Sequence, residues 1–224
     1  MIDYRLYLVT DDPSRYSGNW LDNVVASVEG GVTCVQYRDT ESPRQVQYER
    51  ILKLRDAIGK TPVIVNNDAE LAVAVKAEGV HVGQNDMPVG EVRKIVGPNC
   101  EIGLSITDLA QLSELAERDA ASSPDCLGIG PVFDARKTKV DASDAIGVIG
   151  LQKIMDTVRN FSPFPIPNSQ FPIPNSLSSV AIGGISLDNA ASVLATGVGG
   201  VAVVSAFSRS ADPLSVARAF RNLL

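Results

Sequence analysis

Polar and charged residues gather at the ends of short apolar runs in this chain. Gln36-Tyr37-Arg38-Asp39 closes the run Thr33–Tyr37, Asn66-Asn67-Asp68 closes Val63–Asn66, and the stretch from His81 to Asp86 follows Val80–Val82. Ser105 ends Glu101–Ser105, and Lys137-Thr138-Lys139 lies beyond Cys126–Gly130. Two further runs, Val180–Ile185 and Gly200–Ser205, carry Gly183-Gly184 and Ser205 just before polar, helix-opening segments, Ser186–Asn189 and Ser208–Asp212. Glycine lets backbone approach an oxyanion, and a helix N-terminus presents unpaired N–H groups and a positive dipole end. Arg38 and Lys139 supply cations for phosphate oxygens, and Asp86 is a hard oxygen ligand suited to Mg²⁺. Singly, Arg38 and Asp39 read as a surface ion pair, Asp86 as a turn residue and Lys139 as a solvated charge. Their agreement at successive strand ends points instead to a site for a pyrophosphate. His81, between Gly79 and Gly83, reads as a buried structural histidine rather than a general base.

Residues so far apart in sequence meet only if the elements between them bring the strand ends to one rim. Strand-like runs occur at Leu6–Thr10, Thr33–Tyr37, Val63–Asn66, Val80–Val82, Glu101–Ser105, Cys126–Gly130, Ser179–Gly183 and Gly200–Ser205. Amphipathic, helix-like stretches separate them at Asn19–Glu29, Pro43–Ile58, Asp68–Ala77, Val89–Ile95, Asp108–Arg118 and Gly147–Arg159, then at Leu187–Ala195 and Asp212–Leu224. Alternation of this kind predicts a (β/α)8 TIM barrel, with a doubly wound open sheet as the competing architecture. In a barrel, chemistry belongs at the C-terminal strand ends, and phosphate sites favour the loops after strands seven and eight.

The bulk properties agree. A chain of 224 residues with 45% hydrophobic side chains can bury one large core, so residues 1–224 are expected to form a single domain. A formal net charge of −6 argues against a nucleic-acid or anionic-membrane surface, while leaving room for a local cationic pocket. The chain has no apolar run long enough to span a bilayer and no signal-like start over Met1–Thr10, so a soluble, cytoplasmic protein is expected. Cys34, Cys100 and Cys126 have no metal-ligand spacing, and Cys34 and Cys126 read as core packing. Phe164–Ser169 recurs as Phe171–Ser176 around Gln170; its prolines mark an inserted loop at about residues 162–178, on the face opposite the expected site.

The motifs resemble those of the thiamine-phosphate synthase and thiazole tautomerase superfamily. The likeness rests on Gln36-Tyr37-Arg38, Val65-Asn66, the stretch Gly79–Pro88, Gly103-Leu104-Ser105, Gly128–Phe133 and Gly183-Gly184, in this order. It implies condensation of 4-amino-2-methyl-5-hydroxymethylpyrimidine diphosphate with 4-methyl-5-(2-phosphoethyl)thiazole, by loss of diphosphate before attack of the thiazole nitrogen. By the same likeness, Arg38, Asn66 and Lys139 hold the diphosphate, Gln36 and Ser105 face the pyrimidine and diphosphate, and Thr138 joins the substrate site. Gly183, Gly184, Val204 and Ser205 cradle the thiazole phosphate, and Mg²⁺ is held by Asp86 and Asn67. The partners implied are small molecules, and homo-oligomerisation is left open.

Three positions depart from that pattern. Asn67 stands where the family carries a second metal carboxylate, and Thr40 replaces a lysine. The loop before Lys139 reads Asp134-Ala135-Arg136-Lys137-Thr138, with one extra residue, so Arg136 or Lys137 is expected to restore the missing charge. Thr107 occupies the position of the tautomerase histidine, which argues against that branch. A non-catalytic barrel that binds a thiazole phosphate or thiamine phosphate is the remaining alternative.

Overall fold

The computed structural model describes residues 1–116, 123–136, 143–160 and 177–224. Strand β1 (Leu6–Val9) is followed by a short 3-10 turn, Pro13–Arg15, and helix α1 (Trp20–Glu29). Five strand–helix units follow: β2 (Cys34–Tyr37) with α2 (Arg44–Ile58), β3 (Val63–Asn66) with α3 (Ala69–Ala74), β4 (Gly79–Val82) with α4 (Val89–Val96), β5 (Glu101–Ile106) with α5 (Leu109–Ala116), and β6 (Cys126–Ile129) with α6 (Gly147–Asn160). The chain closes with β7 (Ser178–Ile182), α7 (Leu187–Leu194), β8 (Val201–Val203), α8 (Ser205–Ser208) and α9 (Pro213–Arg221).

All eight strands are parallel and form a closed barrel in sequence order. Closure rests on β1, which pairs with β2 on one side and β8 on the other, Leu8 lying opposite both Val35 and Val203. The open-sheet alternative is therefore excluded, because an open sheet would leave β1 or β8 at an edge. The strands are nearly all apolar because both of their faces are buried. Successive side chains alternate, so Tyr7, Val9, Cys34, Ile64, Cys126, Val180 and Ala202 fill the barrel interior. Their neighbours, including Leu6, Leu8, Val35, Val63 and Val80, pack outward against the helices. Cys34 and Cys126 are thus packing residues, and burial pushes both thiols far above their ordinary range.

Local signals set the helix starts. Asn19 accepts from the Leu21 and Asp22 N–H groups to open α1, and Asp212 accepts from Ser215 to open α9. Several boundaries differ by one to three residues from the sequence expectation, and the difference after β8 bears on the site. Strand β8 stops at Val203, and Ser205–Ser208 is already helical. Tertiary contacts explain the early stop. Phe207 is buried against Phe220, and the Ser208 carbonyl accepts from Ser17 N–H at 3.1 Å, which draws this turn onto the loop after β1. Among the described residues, no helix is long and apolar enough to cross a membrane. The Pro-rich repeat, Phe164–Ser176, lies outside the described residues.

Candidate active site

The end of β2 separates two jobs. Gln36 is buried inside the barrel, where its amide Nε2 donates to the Tyr7 hydroxyl at 2.7 Å. At Arg38 the backbone is pinned twice to the Thr10 side chain: its N–H donates to Oγ1 at 2.8 Å, and its carbonyl accepts from that hydroxyl at 3.1 Å. The Arg38 guanidinium has no hydrogen bond or ion pair among the described residues. Asp39 does not pair with it. That carboxylate turns toward α2, accepts from Tyr37 Oη at 2.9 Å and from the N–H groups of Ser42 and Glu41 at 2.9 and 3.2 Å, and pairs with Arg50 at 2.8 Å. Burial alone would raise the Asp39 pKa, but the Ser42, Tyr37 and Glu41 donors hold it below the ordinary carboxylate value. Among the described residues Arg38 is thereby left without a partner at the rim, and the exposed Thr40 hydroxyl donates to Glu41 at 3.3 Å.

At the next two strand ends, Asn66 lies in register with His81. Asn67 adopts the left-handed conformation, with φ 61°, which asparagine tolerates well, and its N–H donates to the His81 carbonyl at 2.8 Å. Asp68, the next carboxylate along, is already engaged. Its Oδ1 caps α3 by accepting from Leu71 N–H at 2.7 Å and also pairs with Arg44 at 2.8 Å. Asp86 folds back on its own turn, its Oδ2 accepting from Gly83 N–H at 2.6 Å.

Among the described residues, no cluster of three or more His, Cys, Asp or Glu side chains forms a metal cage. The local donor set is one carboxylate, Asp86, and one amide, Asn67, on adjacent strand ends. That set suits a cation that retains water and draws further ligands from substrate phosphates, as Mg²⁺ does.

Ser105, near the end of β5, is held from two sides. His81 Nε2 lies 3.0 Å from its Oγ, and Gln84 Nε2 donates to its carbonyl at 2.6 Å. The His81 ring is only part-buried, so it is not the enclosed core histidine expected from the sequence. Glycines make room for it: a Cβ on Gly103 would run into the ring, and one on Gly128 would sit 2.8 Å from its Cε1. At position 107, where the related branch has a histidine, the Thr107 N–H and hydroxyl donate to Gln111 Oε1 at 2.8 and 3.1 Å.

The loops after β6 and β7 are built against each other. Val132 N–H donates to the Ile182 carbonyl at 2.8 Å, and Phe133 N–H to the Gly183 carbonyl at 3.0 Å. Gly183 and Gly184 have φ of 101° and 64°. A Cβ at Gly183 would lie 2.5 Å from that of Pro131, and one at Gly184 would lie 2.7 Å from that of Phe133. The paired glycines are therefore required first by this close approach, whatever else their backbone binds. Ser205 heads α8, with Val204 as its N-cap residue; the Phe207 and Ser208 N–H groups donate to the Val204 carbonyl, each at 3.1 Å, so the N–H groups at the very start of the turn, those of Ser205 and Ala206, are the ones a ligand could use. Arg136 pairs with Asp134 at 2.9 Å, with both side chains more than half exposed. Lys137, Thr138 and Lys139 lie outside the described residues.

The structure thus brings Gln36, Arg38, Asn66, Asn67, Asp86, Ser105, Gly183, Gly184, Val204 and Ser205 to the C-terminal strand ends and the loops that follow them. Sequence reading overlooked Tyr7, Gln84 and the contact of His81 with Ser105. Glycines two strands apart, Gly103 and Gly128, were the available signal for that ring. A hollow of about 280 Å³ lined by Arg44, Tyr48 and Glu70 lies between α2 and α3, away from these residues, and carries none of this chemistry.

Residues 6–207 match the family model described as thiamine monophosphate synthase. Thiamine-phosphate synthase of Chloroflexus aurantiacus is 39% identical, over 100% of this chain and 94% of the relative. That of Desulfitobacterium hafniense strain Y51 is 36% identical, over 99% and 98%. Among solved structures, thiamine phosphate pyrophosphorylase from Pyrococcus furiosus superposes with a TM-score of 0.77 at 31% identity, covering 99% of this chain and 95% of that one. KGPDC from Streptococcus mutans shares the barrel at 14% identity with a TM-score of 0.64, covering 98% of this chain and 97% of that one; this is a likeness of fold alone.

Proposed function

Because the chain belongs to the thiamine monophosphate synthase family, we propose that it joins 4-amino-2-methyl-5-hydroxymethylpyrimidine diphosphate to 4-methyl-5-(2-phosphoethyl)thiazole, releasing thiamine phosphate and diphosphate. The observation that carries this reading is the Arg38 guanidinium, which has no partner among the described residues although its backbone is pinned on both sides. A cation carried by so firmly anchored a backbone at the mouth of a barrel is placed to meet an anion.

The bond between the pyrimidine methylene carbon and the diphosphate oxygen breaks first, and the oxygen keeps the electron pair. The thiazole nitrogen then adds to the cationic carbon. Such a reaction asks the protein for leaving-group stabilisation and alignment more than for a general base. Arg38 and Lys139 bind the departing diphosphate with Asn66, and Ser105 donates to it. Gln36 orients the pyrimidine from within the barrel. Gly183, Gly184, Val204 and Ser205 hold the thiazole phosphate, and by the family resemblance Thr138 binds substrate. Asp86 and Asn67 would hold Mg²⁺, which when bound neutralises charge on the diphosphate. Two phosphorylated substrates, which do not cross membranes unaided, fit a cytoplasmic activity. Tautomerase chemistry has no support, since the Thr107 hydroxyl is committed to Gln111.

The test is turnover of the purified protein with both substrates across a Mg²⁺ series, assaying thiamine phosphate and diphosphate together. Equimolar, Mg²⁺-dependent appearance of both products is expected. Tight binding of the thiazole phosphate with no product at any Mg²⁺ concentration would overturn the synthase in favour of a non-catalytic binder.

A further inference from the structure

Ser105 can stabilise a diphosphate only if its hydroxyl proton is free to point at the anion. A diphosphate oxygen accepts hydrogen bonds and donates none. The Ser105 Oγ, 3.0 Å from His81 Nε2, has two ways to satisfy that contact. It can donate its proton to a bare Nε2, which spends the proton the substrate needs, or it can accept from Nε2–H and keep the proton for the substrate.

We propose that His81 is a positioning residue that carries its proton on Nε2 and donates it to Ser105 Oγ, so that the Ser105 hydroxyl proton is aimed at the diphosphate. The proposal rests on the reading of Ser105 given above. Three features of the chain converge on it. Register places Gly103 level with His81 and Gly128 level with Ser105, so the ring leaning from β4 toward β6 passes over the one neighbouring strand position that has no side chain and reaches a second one. Any Cβ at Gly103 or Gly128 would crowd that ring, so the barrel interior is shaped around it. Gln84, from the loop after β4, clamps the Ser105 carbonyl, fixing the backbone while His81 fixes the side chain. A merely space-filling residue on β4 would need neither the polar contact nor the second clamp.

His81 is the only histidine in the chain, so its imidazole nitrogens can be followed without assignment. In long-range ¹H–¹⁵N spectra at about pH 8, above the ordinary imidazole range, Nε2 should give a protonated, pyrrole-type signal that shifts in Ser105→Ala. A pyridine-type Nε2, or a signal indifferent to Ser105→Ala, overturns the proposal whether or not the enzyme turns over. Kinetics supply the second arm. His81→Phe fills the space over the two glycines without a donor and should lower kcat/KM about tenfold to a hundredfold, the range for one hydrogen bond to a charged group. His81→Gln, which restores an N–H donor, should recover most of that loss. In the Ser105→Ala background, His81→Phe should cost nothing further, because the two residues act as one unit. Additive losses, or equal losses in the Phe and Gln variants, would reduce His81 to packing. Absence of turnover in the unaltered protein would refute the synthase reading while leaving the spectroscopic result to stand by itself.

Discussion

Replacing Gly183 with alanine isolates what the paired glycines are for. Two costs add at this position. With φ at 101°, an L-residue is strained by roughly 1–2 kcal/mol. The new Cβ would also fall 2.5 Å from the Pro131 Cβ and 2.6 Å from its Cα, well inside carbon–carbon contact distance, and overpacking of this kind costs about 1–3 kcal/mol. The expected loss is therefore about 2–5 kcal/mol, a large share of the stability of an ordinary domain. Gly97 is the matched control. It also has a left-handed φ, 74°, but a Cβ there meets nothing within 4 Å, so Gly97→Ala should cost only about 1–2 kcal/mol. Urea unfolding of both variants, followed by far-ultraviolet circular dichroism, reads the difference. Gly183→Ala should unfold at clearly lower urea and, where still folded, lose kcat/KM because the Pro131–Phe133 segment is displaced. Equal midpoints for the two variants would refute the close-approach argument and return Gly183 to a purely ligand-binding role.

Arg38→Ala should leave the unfolding midpoint within about 0.5 kcal/mol of the parent, since the side chain holds nothing among the described residues, yet lower kcat/KM by about 10²–10³; a stability loss without a rate loss would make Arg38 structural. Asn67→Asp adds the second carboxylate at a backbone conformation aspartate also tolerates, so the Mg²⁺ concentration for half-maximal activity should fall, as a Mg²⁺ titration of the rate would show. Asp39 has a folded pKa below its unfolded one, so its contribution to stability is complete above the unfolded value, about 3.9, and disappears as pH falls through the folded value. In Asp39→Asn that acid-dependent part should vanish, flattening the decline of urea midpoints between about pH 5 and about pH 2, at a cost near neutral pH of about 1.5–3 kcal/mol from the lost charged hydrogen bonds.

Much of the site was legible because each strand end carries its own signal. Gln36, Arg38, Asn66, Asp86 and Ser105 each follow a short apolar run, and barrel geometry turns that linear pattern into one rim. Asp68 was also legible: an aspartate directly before a helical stretch reads as a cap, and it is one. The pairings were not legible. Arg38 and Asp39 are adjacent in sequence and opposite in charge, yet Asp39 is claimed by Arg50 of α2, because consecutive residues at a strand end point to opposite faces and Asp39 faces the helix layer. Arg136 gives no sequence sign of the surface pair it forms with Asp134, two residues away. His81 looked enclosed because its neighbours are glycine and valine, but those neighbours say nothing of Ser105, which lies on the next strand.

The sequence by itself determined the alternation of strand and helix and the candidate chemistry, but left a closed barrel and an open sheet both standing. Alternating apolar runs of strand and helix length, closed by caps such as Asn19 and Asp212, dictate parallel strands wrapped in helices, and residue type alone decides which groups can carry charge or donate hydrogen bonds. Only the tertiary structure decided which of those groups are free and which are spent. Barrel closure sets register across strands distant in sequence, and register fixes which side chains share a level, where a missing Cβ opens space for a ring, and whether a charged group meets a partner or faces the mouth.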